Sequence, residues 1–418
     1  MRESRPAGCP GGGTGRTLVI TNDFPPRQGG IETFVHAMAT RLPGKGVVVY
    51  TSAEPGAAEY DATLPFPVVR DPARMLLPTP RVTRQALALA RAHGCDRVWF
   101  GAAAPLAYMA PALRRDGIRR IVATTHGHEI WWARLPGARR ILRRIGDNVD
   151  VVTYLGRYTR DRIAPAMGPR ATLRRLVPGV DPGDFRPRGT GAADLPGVPE
   201  GKRIILCVSR LVARKGQDTL IRALGPVQQA VPEAVLVVVG KGPDERRLRR
   251  LARSRAAGTV IFTGGIGHAR TADYYAAAEV FAMPCRTRKA GLEAEGLGIV
   301  YLEAAASGLP VIAGHSGGAP DAVRDGETGL VVDGRDVRQV ADAVVRMLRS
   351  PRRAAEMGAA GRRWVGEQWS WEASARRLAG LLTPREGGAV TGTTTRPADA
   401  PAPQEPAGSL PSGPGRAS

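Results

Sequence analysis

Two successive series of short apolar runs, each interleaved with helical patterns, constrain the fold of this chain more than any other feature. In the first series the runs fall at 17–21, 47–51, 97–101, 121–125, 149–154 and 176–180; in the second, at 204–208, 234–240, 260–263, 280–283, 310–313 and 329–332. Each is rich in β-branched residues and ends in a polar or glycine-containing loop. Strands apolar on both faces belong to a parallel sheet covered by helices on both sides. Helical patterns at 31–42 and 82–93 supply such covers. Between the series, 186–201 reads RPRGTGAADLPGVPEG, a Pro/Gly-rich linker. The pattern predicts an α/β chain of two tandem Rossmann-like domains facing a central cleft, the first over 16–185 and the second over 202–364. A helix over 365–383 is expected to close the folded part. The ends, 1–15 and 384–418, lack periodicity and are expected to be disordered.

Charge narrows the class of partner. The chain carries 60 Lys+Arg against 38 Asp+Glu, a formal charge of +22, and both series share the excess. Such a surface favours phosphates, whether on nucleic acid, a nucleotide or an anionic lipid. No helix-turn-helix, RNP-type aromatic strand or zinc module accompanies it, and aromatics are only 5%, which counts against a nucleic-acid-binding protein. Apolar residues at 43% and charged residues at 23% exclude global disorder. No apolar run approaches the ~20 residues of a membrane helix, and the Gly/Pro/Arg-rich start does not read as a secretory signal, so a cytosolic protein is expected. Four scattered cysteines, Cys9, Cys95, Cys207 and Cys285, read as reduced thiols rather than a disulfide framework.

Chemistry-bearing residues gather where runs end. After the first run, NDFPPRQGGIE places Gly29 and Gly30 at a helix start, either as an anion contact through backbone amides or as a tight strand-to-helix turn. The spacing is not G-x-G-x-x-G, which disfavours a nicotinamide or flavin site. The fourth run enters THGHEIWW, and a loop at the carboxyl end of a parallel strand faces the ligand crevice. His126, His128 and Glu129 lack the i, i+4 spacing of a helical metal motif, so no metal is assigned. One imidazole is expected to donate a hydrogen bond to a substrate hydroxyl, with the other structural.

In the second series, Arg210 and Lys215 leave the first strand beside a helix start, suited to clamping a diphosphate or, equally, forming a solvated basic loop. MPCRTR is followed by EAEGLGIVYLEA, in which Glu295 and Glu303 stand eight apart. With a helix beginning near Gly298 they lie up to ~12 Å apart along its direction. That separation suits two hydroxylated parts of one extended ligand, and the amides of Gly296, Leu297 and Gly298 add donors.

The combination of F-P-P-x-x-G-G, R-x4-K and E-x7-E on two Rossmann domains resembles the GT-B retaining glycosyltransferases of family 4, over about 17–382. Within that family, NDFPPRQGGIE, THGHEIWW and MPCRTR…EGLGIVYLEA are similar to bacterial phosphatidylinositol mannoside α-1,6-mannosyltransferases, which use GDP-mannose. The resemblance implies that Gly29 and Gly30 contact the donor phosphate region, that Arg210 and Lys215 bind the diphosphate, and that His126 lies near the reacting sugar. It implies Glu295 on sugar hydroxyls, Glu303 on the ribose, no required cofactor or metal, and a final helix crossing back to the first domain. Another family 4 transferase, with a different sugar nucleotide or a soluble acceptor, remains the alternative.

A lipid acceptor implies a membrane surface. In LPGARRILRRI, Arg139, Arg140, Arg143 and Arg144 project from one helical face, with Ile141, Leu142 and Ile145 as a neighbouring apolar edge. Peripheral docking on the anionic inner face of the cell membrane is therefore expected, against the alternative of a solvated basic face over an ordinary core edge.

Overall fold

The computed structural model describes residues 15–384, apart from 28, 43–45, 186, 188–194 and 292. The segments 1–14 and 385–418, Cys9, and half of the expected linker lie outside the described residues.

The first series forms strands β1 (Arg16–Ile20), β2 (Val47–Ser52), β3 (Val68–Asp71), β4 (Cys95–Phe100), β5 (Arg120–Thr124), β6 (Val151–Tyr154) and β7 (Leu173–Arg175). They make one parallel sheet, in the order β3-β2-β1-β4-β5-β6-β7. Its helices are α1 (Gly30–Arg41), α2 (Ala57–Asp61), α3 (Pro80–Ala92), α4 (Ala110–Arg115), α5 (Glu129–Arg134), α6 (Pro136–Asn148) and α7 (Arg157–Met167). The second series forms β8 (Arg203–Val208), β9 (Ala234–Val239), β10 (Val260–Gly264), β11 (Val280–Met283), β12 (Val311–Gly314) and β13 (Gly329–Val332), in the order β10-β9-β8-β11-β12-β13. Helices α8 (Gln217–Ala230), α9 (Glu245–Arg255), α10 (His268–Ala277), α11 (Ile299–Ala306), α12 (Val337–Arg349) and α13 (Pro351–Gln368) cover it, and α14 (Trp371–Leu382) ends the described chain.

The both-face apolar pattern has its physical cause in the cores. Leu18 and Ile20 point into one cluster of the first domain and Val19 into another on the opposite face of the sheet. β9, all six residues apolar, is buried throughout. In each sheet the strand order reverses beside the first strand, between β1 and β4 and between β8 and β11, where open α/β sheets bind ligands.

Two strand expectations differ from the structure. The run at 176–180 is extended chain rather than a strand; the strand is the preceding, more polar β7. Leu176 is apolar because it packs in the first core, while Val177 and Val180 pack in the second. The Val180 amide donates to the Trp369 carbonyl at 2.7 Å, so this run bridges the two cores instead of extending a sheet. β3, carried by Val68 and Val69 after a proline-interrupted stretch, escapes the periodicity because it is short and only partly buried.

α14 packs on the first domain. Trp371, Ala375, Leu378 and Leu382 lie in the same cluster as Val19, Phe34 and Met38. Arg120 Nε donates to the Leu381 carbonyl at 2.7 Å, and Arg41 pairs with Glu372 at 3.0 Å. Cys95, Cys207 and Cys285 are buried free thiols. Among the described residues, no helix is long and apolar enough to cross a membrane.

Candidate active site

Loops from both sheets line one cleft of about 210 Å³, with His126, Gly127 and His128 following β5 on one wall and Ala294, Glu295 and Gly296 preceding α11 on the other. The walls are close: a Cβ built on Gly296 would lie 3.7 Å from the His126 carbonyl oxygen. Residues 170 positions apart thus face each other across the cleft.

The His126 wall is held from below. Glu129, fully buried, accepts from the His126 and Gly127 amides at 3.1 Å each through Oε2, and its Oε1 lies 3.2 Å from His128 Nε2. Burial raises the Glu129 pKa. Its carboxylate braces the loop rather than facing a ligand. His126 Nε2 is 2.7 Å from the Gly101 carbonyl oxygen, which can only accept, so Nε2 carries the proton. Burial pushes the His126 pKa down to about 4, and the ring is neutral at physiological pH. The His126 donor is spent on Gly101, so of the two imidazoles this is not the one free to donate to a substrate hydroxyl, and what its ring can offer a ligand is the acceptor Nδ1.

Beside Glu295 of the opposite wall stand two cations, Lys215 and Arg214, which do not themselves line the cleft. A 3-10 turn, Ala213–Lys215, leads from β8 to α8. Gly216 follows with φ 79°, and a Cβ there would collide with the Pro284 carbonyl, so only glycine lets this basic turn lie against the end of β11. Lys215 is 9% exposed, and its Nζ lies 2.7 Å from Glu295 Oε2. Arg214 Nε approaches the same oxygen at 3.9 Å. Lys215 is thus the close partner of Glu295 Oε2, while Arg214 Nε has no hydrogen-bond partner among the described residues. Glu295 itself is anchored through its main chain: its carbonyl accepts from the Gly318 amide at 2.8 Å. Nearby, Thr159 Oγ1 on α7 and Asp321 Oδ2 are also buried and unpartnered. Buried polar atoms are normally satisfied, so the Arg214 Nε next to Glu295 suits a polar ligand.

The remaining expected residues are placed as follows. Arg210 is exposed just beyond the end of β8. Leu297 is buried, and Gly298 caps α11 at φ 81°. Glu303, on α11, is 7% exposed and accepts from the Tyr275 hydroxyl at 2.8 Å. Gly29 is extended at the start of α1, where the Glu32 carboxylate reaches back over it and pairs with Arg27 at 3.1 Å. Gly30 has open space where a Cβ would stand, and neither glycine lines the cleft.

Residues 28–184 match the pattern described as Glycosyltransferase Family 4, and residues 194–364 match Glycosyl transferases group 1. A GDP-mannose-dependent alpha-(1-6)-phosphatidylinositol monomannoside mannosyltransferase of Mycolicibacterium smegmatis is 50% identical over 376 residues, covering 88% of this chain and 98% of that one. The chain belongs to the family 4 glycosyltransferases. A Corynebacterium glutamicum relative, named as acting on the monoacylated form of the same acceptor, is 45% identical over 88% of this glycosyltransferase and 97% of its own length. Among solved structures, sucrose-phosphate synthase of Thermosynechococcus elongatus superposes with TM-score 0.70 at 24% identity, over 88% of this chain and 98% of that one. Anabaena HepE, crystallised with UDP and glucose, gives 0.71 at 17%, over 88% and 99%. Both support the fold.

Sequence reasoning missed several residues of the transferase's cleft: Trp131 and Arg134 of α5, Tyr158 of α7 and Gly291. Only the aromatic pair of THGHEIWW carried a signal for any of them. The expected apolar edge of α6 needs correction. Leu142 and Ile145 are 0% exposed in the first core and the half-buried Ile141 packs against it, so this edge serves the core. All four arginines of that helix are exposed. Arg143 pairs with Asp147 at 3.1 Å, and the Arg144 guanidinium sits 4.7 Å from the Tyr108 ring centroid. The large apolar side chains that are exposed here, Trp131 at 52% and Leu135 at 47%, stand just before α6 and beside the cleft.

Proposed function

We propose that this glycosyltransferase transfers mannose from GDP-mannose to a phosphatidylinositol mannoside, with retention of anomeric configuration, at an anionic membrane surface. The observation that carries the reading is the buried Lys215–Glu295 ion pair, with half-buried Arg214 beside it, on the side of a family 4 cleft opposite His126. The named activity of relatives 50% identical over most of the chain supplies donor and acceptor class.

The chemistry follows from charge. Breaking the bond between the sugar C1 and the diphosphate oxygen puts negative charge on the leaving group. Lys215, with Arg210 and Arg214 from the same segment, stabilises that charge as it develops, the term that most lowers such a barrier. The acceptor oxygen bonds to C1 on the face that the diphosphate leaves, and its proton passes to the departing phosphate oxygen. Glu295 holds sugar hydroxyls once the diphosphate has drawn Lys215 away from it. His126 Nδ1 accepts from a sugar hydroxyl, the amides of 296–298 donate to sugar or phosphate oxygens, and Glu303 holds the ribose. Gly29 and Gly30, which do not line the cleft, are assigned to the donor phosphates on the family resemblance alone. Trp131 and Leu135, with Arg139, Arg140, Arg143 and Arg144, form the face that meets the lipid.

The test is incubation with labelled GDP-mannose or UDP-glucose and a phosphatidylinositol mannoside or a soluble sugar phosphate. Mannosylated lipid from GDP-mannose alone is the expected product. Transfer only from UDP-glucose, or only to the soluble acceptor, overturns the reading.

A further inference from the structure

A second cavity, of about 450 Å³, is lined by residues of the second domain alone. Five of its lining side chains are cationic, Arg222, Arg286, Arg288, Lys289 and Arg335, against one carboxylate, Asp218. None of these residues lines the His126–Glu295 cleft.

The six charges are not equivalent. Arg286 is structural: it is bound to both Asp218 oxygens at 2.8 and 2.9 Å and to Thr219 Oγ1 at 2.8 Å. Asp218 also takes Arg222 at 3.2 Å, so one carboxylate is shared by cations it cannot neutralise. Arg288 and Lys289 share Glu293, at 3.1 and 2.6 Å. The Arg335 guanidinium donates to a main-chain oxygen, that of Thr287. Counting Glu293 with Asp218, the cavity keeps a clear positive excess.

Lys289 has φ 49°, the one non-glycine residue at positive φ among the described residues. That conformation is costly for a lysine and persists where a clamp or binding loop requires it. The loop that holds it, from Arg286 to Glu293, runs directly into Ala294 and Glu295 of the catalytic cleft. One end therefore rims the basic cavity and the other shapes the sugar site.

We propose that this cavity binds a phosphate-bearing anion, distinct from the donor diphosphate, through Arg222, Arg288, Lys289 and Arg335. Three planar guanidinium groups among the lining side chains suit the oxygens of a phosphate monoester or diester, and the lysine adds a point charge. The anion would come from solution, as a free phosphate or pyrophosphate, or from a lipid headgroup. Either source places a ligand on the loop that carries Glu295.

The site is tested on the full chain with GDP in excess, so that the diphosphate site is filled. Pyrophosphate is titrated in one arm, and phosphatidylglycerol vesicles against phosphatidylcholine vesicles in the other. Wild type is compared with Arg222→Gln/Arg335→Gln; both side chains are exposed, so the variant keeps its core. Hydrogen exchange over 286–293 and 333–338 is followed in parallel. Pyrophosphate binding weakened at least ~10-fold in the variant, with exchange slowed in wild type only, assigns the soluble anion. The same pattern with phosphatidylglycerol alone assigns the headgroup. No binding in either arm, or variant binding and exchange equal to wild type, overturns the proposal. Loss of mannosyl transfer with this binding intact would instead count against the proposed reaction alone.

Discussion

Lys215→Ala is the most direct test of the cleft, because one ammonium serves two carriers of negative charge in turn. In the structure it faces Glu295 Oε2 at 2.7 Å, with side chains only 11% and 8% exposed. At an effective dielectric of about 20, that separation corresponds to roughly 6 kcal/mol of gross attraction. Desolvation takes back part of this, and removing one partner of a buried pair typically costs about 3–5 kcal/mol. Arg214, at 3.9 Å from the same oxygen, remains to compensate, so a loss of about 2–3 kcal/mol in folding stability is expected. Urea unfolding of Lys215→Met, Glu295→Gln and the double variant should give a coupling energy of about 2 kcal/mol. In catalysis the same ammonium meets the leaving diphosphate, and Lys215→Ala should lower turnover at least ~10²-fold, about 2.7 kcal/mol of barrier. Near-normal turnover in a folded variant would refute the cation's role in the reaction, and a coupling energy near zero would refute the ion pair itself.

His126 predicts a pH dependence. Its folded pKa of about 4 lies below the usual 6.5. Between those values the unfolded chain takes up a proton that the folded chain refuses, so this term is fully present above pH 6.5 and is lost as pH falls towards 4. The slope over that window, worth at most about 3 kcal/mol, should flatten in His126→Asn unfolding curves. Glu303→Ala should raise the KM for the donor more than it lowers kcat, with Tyr275→Phe a weaker copy, whereas Glu295→Ala should chiefly lower kcat; the reverse split exchanges their roles. Replacing Arg139, Arg140, Arg143 and Arg144 with glutamine should remove most salt-sensitive sedimentation with phosphatidylinositol vesicles, at about 1 kcal/mol per arginine. Unchanged sedimentation would move the contact elsewhere. Transfer should continue in the presence of a chelator, since Lys215 and its neighbouring arginines supply the positive charge; complete loss restored by magnesium would show that a divalent ion shares that task.

What the sequence by itself determined is local and periodic. Twofold apolar runs marked eleven of the strands to within a residue or two, because burial on both faces of a parallel sheet writes itself into consecutive residues. Glycine and helix-start chemistry at 296–299 likewise located α11 and the loop before it. The failures came where burial has a non-local cause: the run at 176–180 is apolar because it crosses between two cores, and Leu142 and Ile145 because α6 lies on the first sheet. Only the tertiary structure decided that Lys215 meets Glu295, that Gly101 takes the His126 proton, and that Arg134 and Tyr158 enter the cleft. Those partners stand from 25 to 80 positions apart where their distances are given, and no residue spacing encodes such a meeting. It is set by how two sheets, bridged by the extended chain at 176–180 and by α14, bring their strand ends to one cleft.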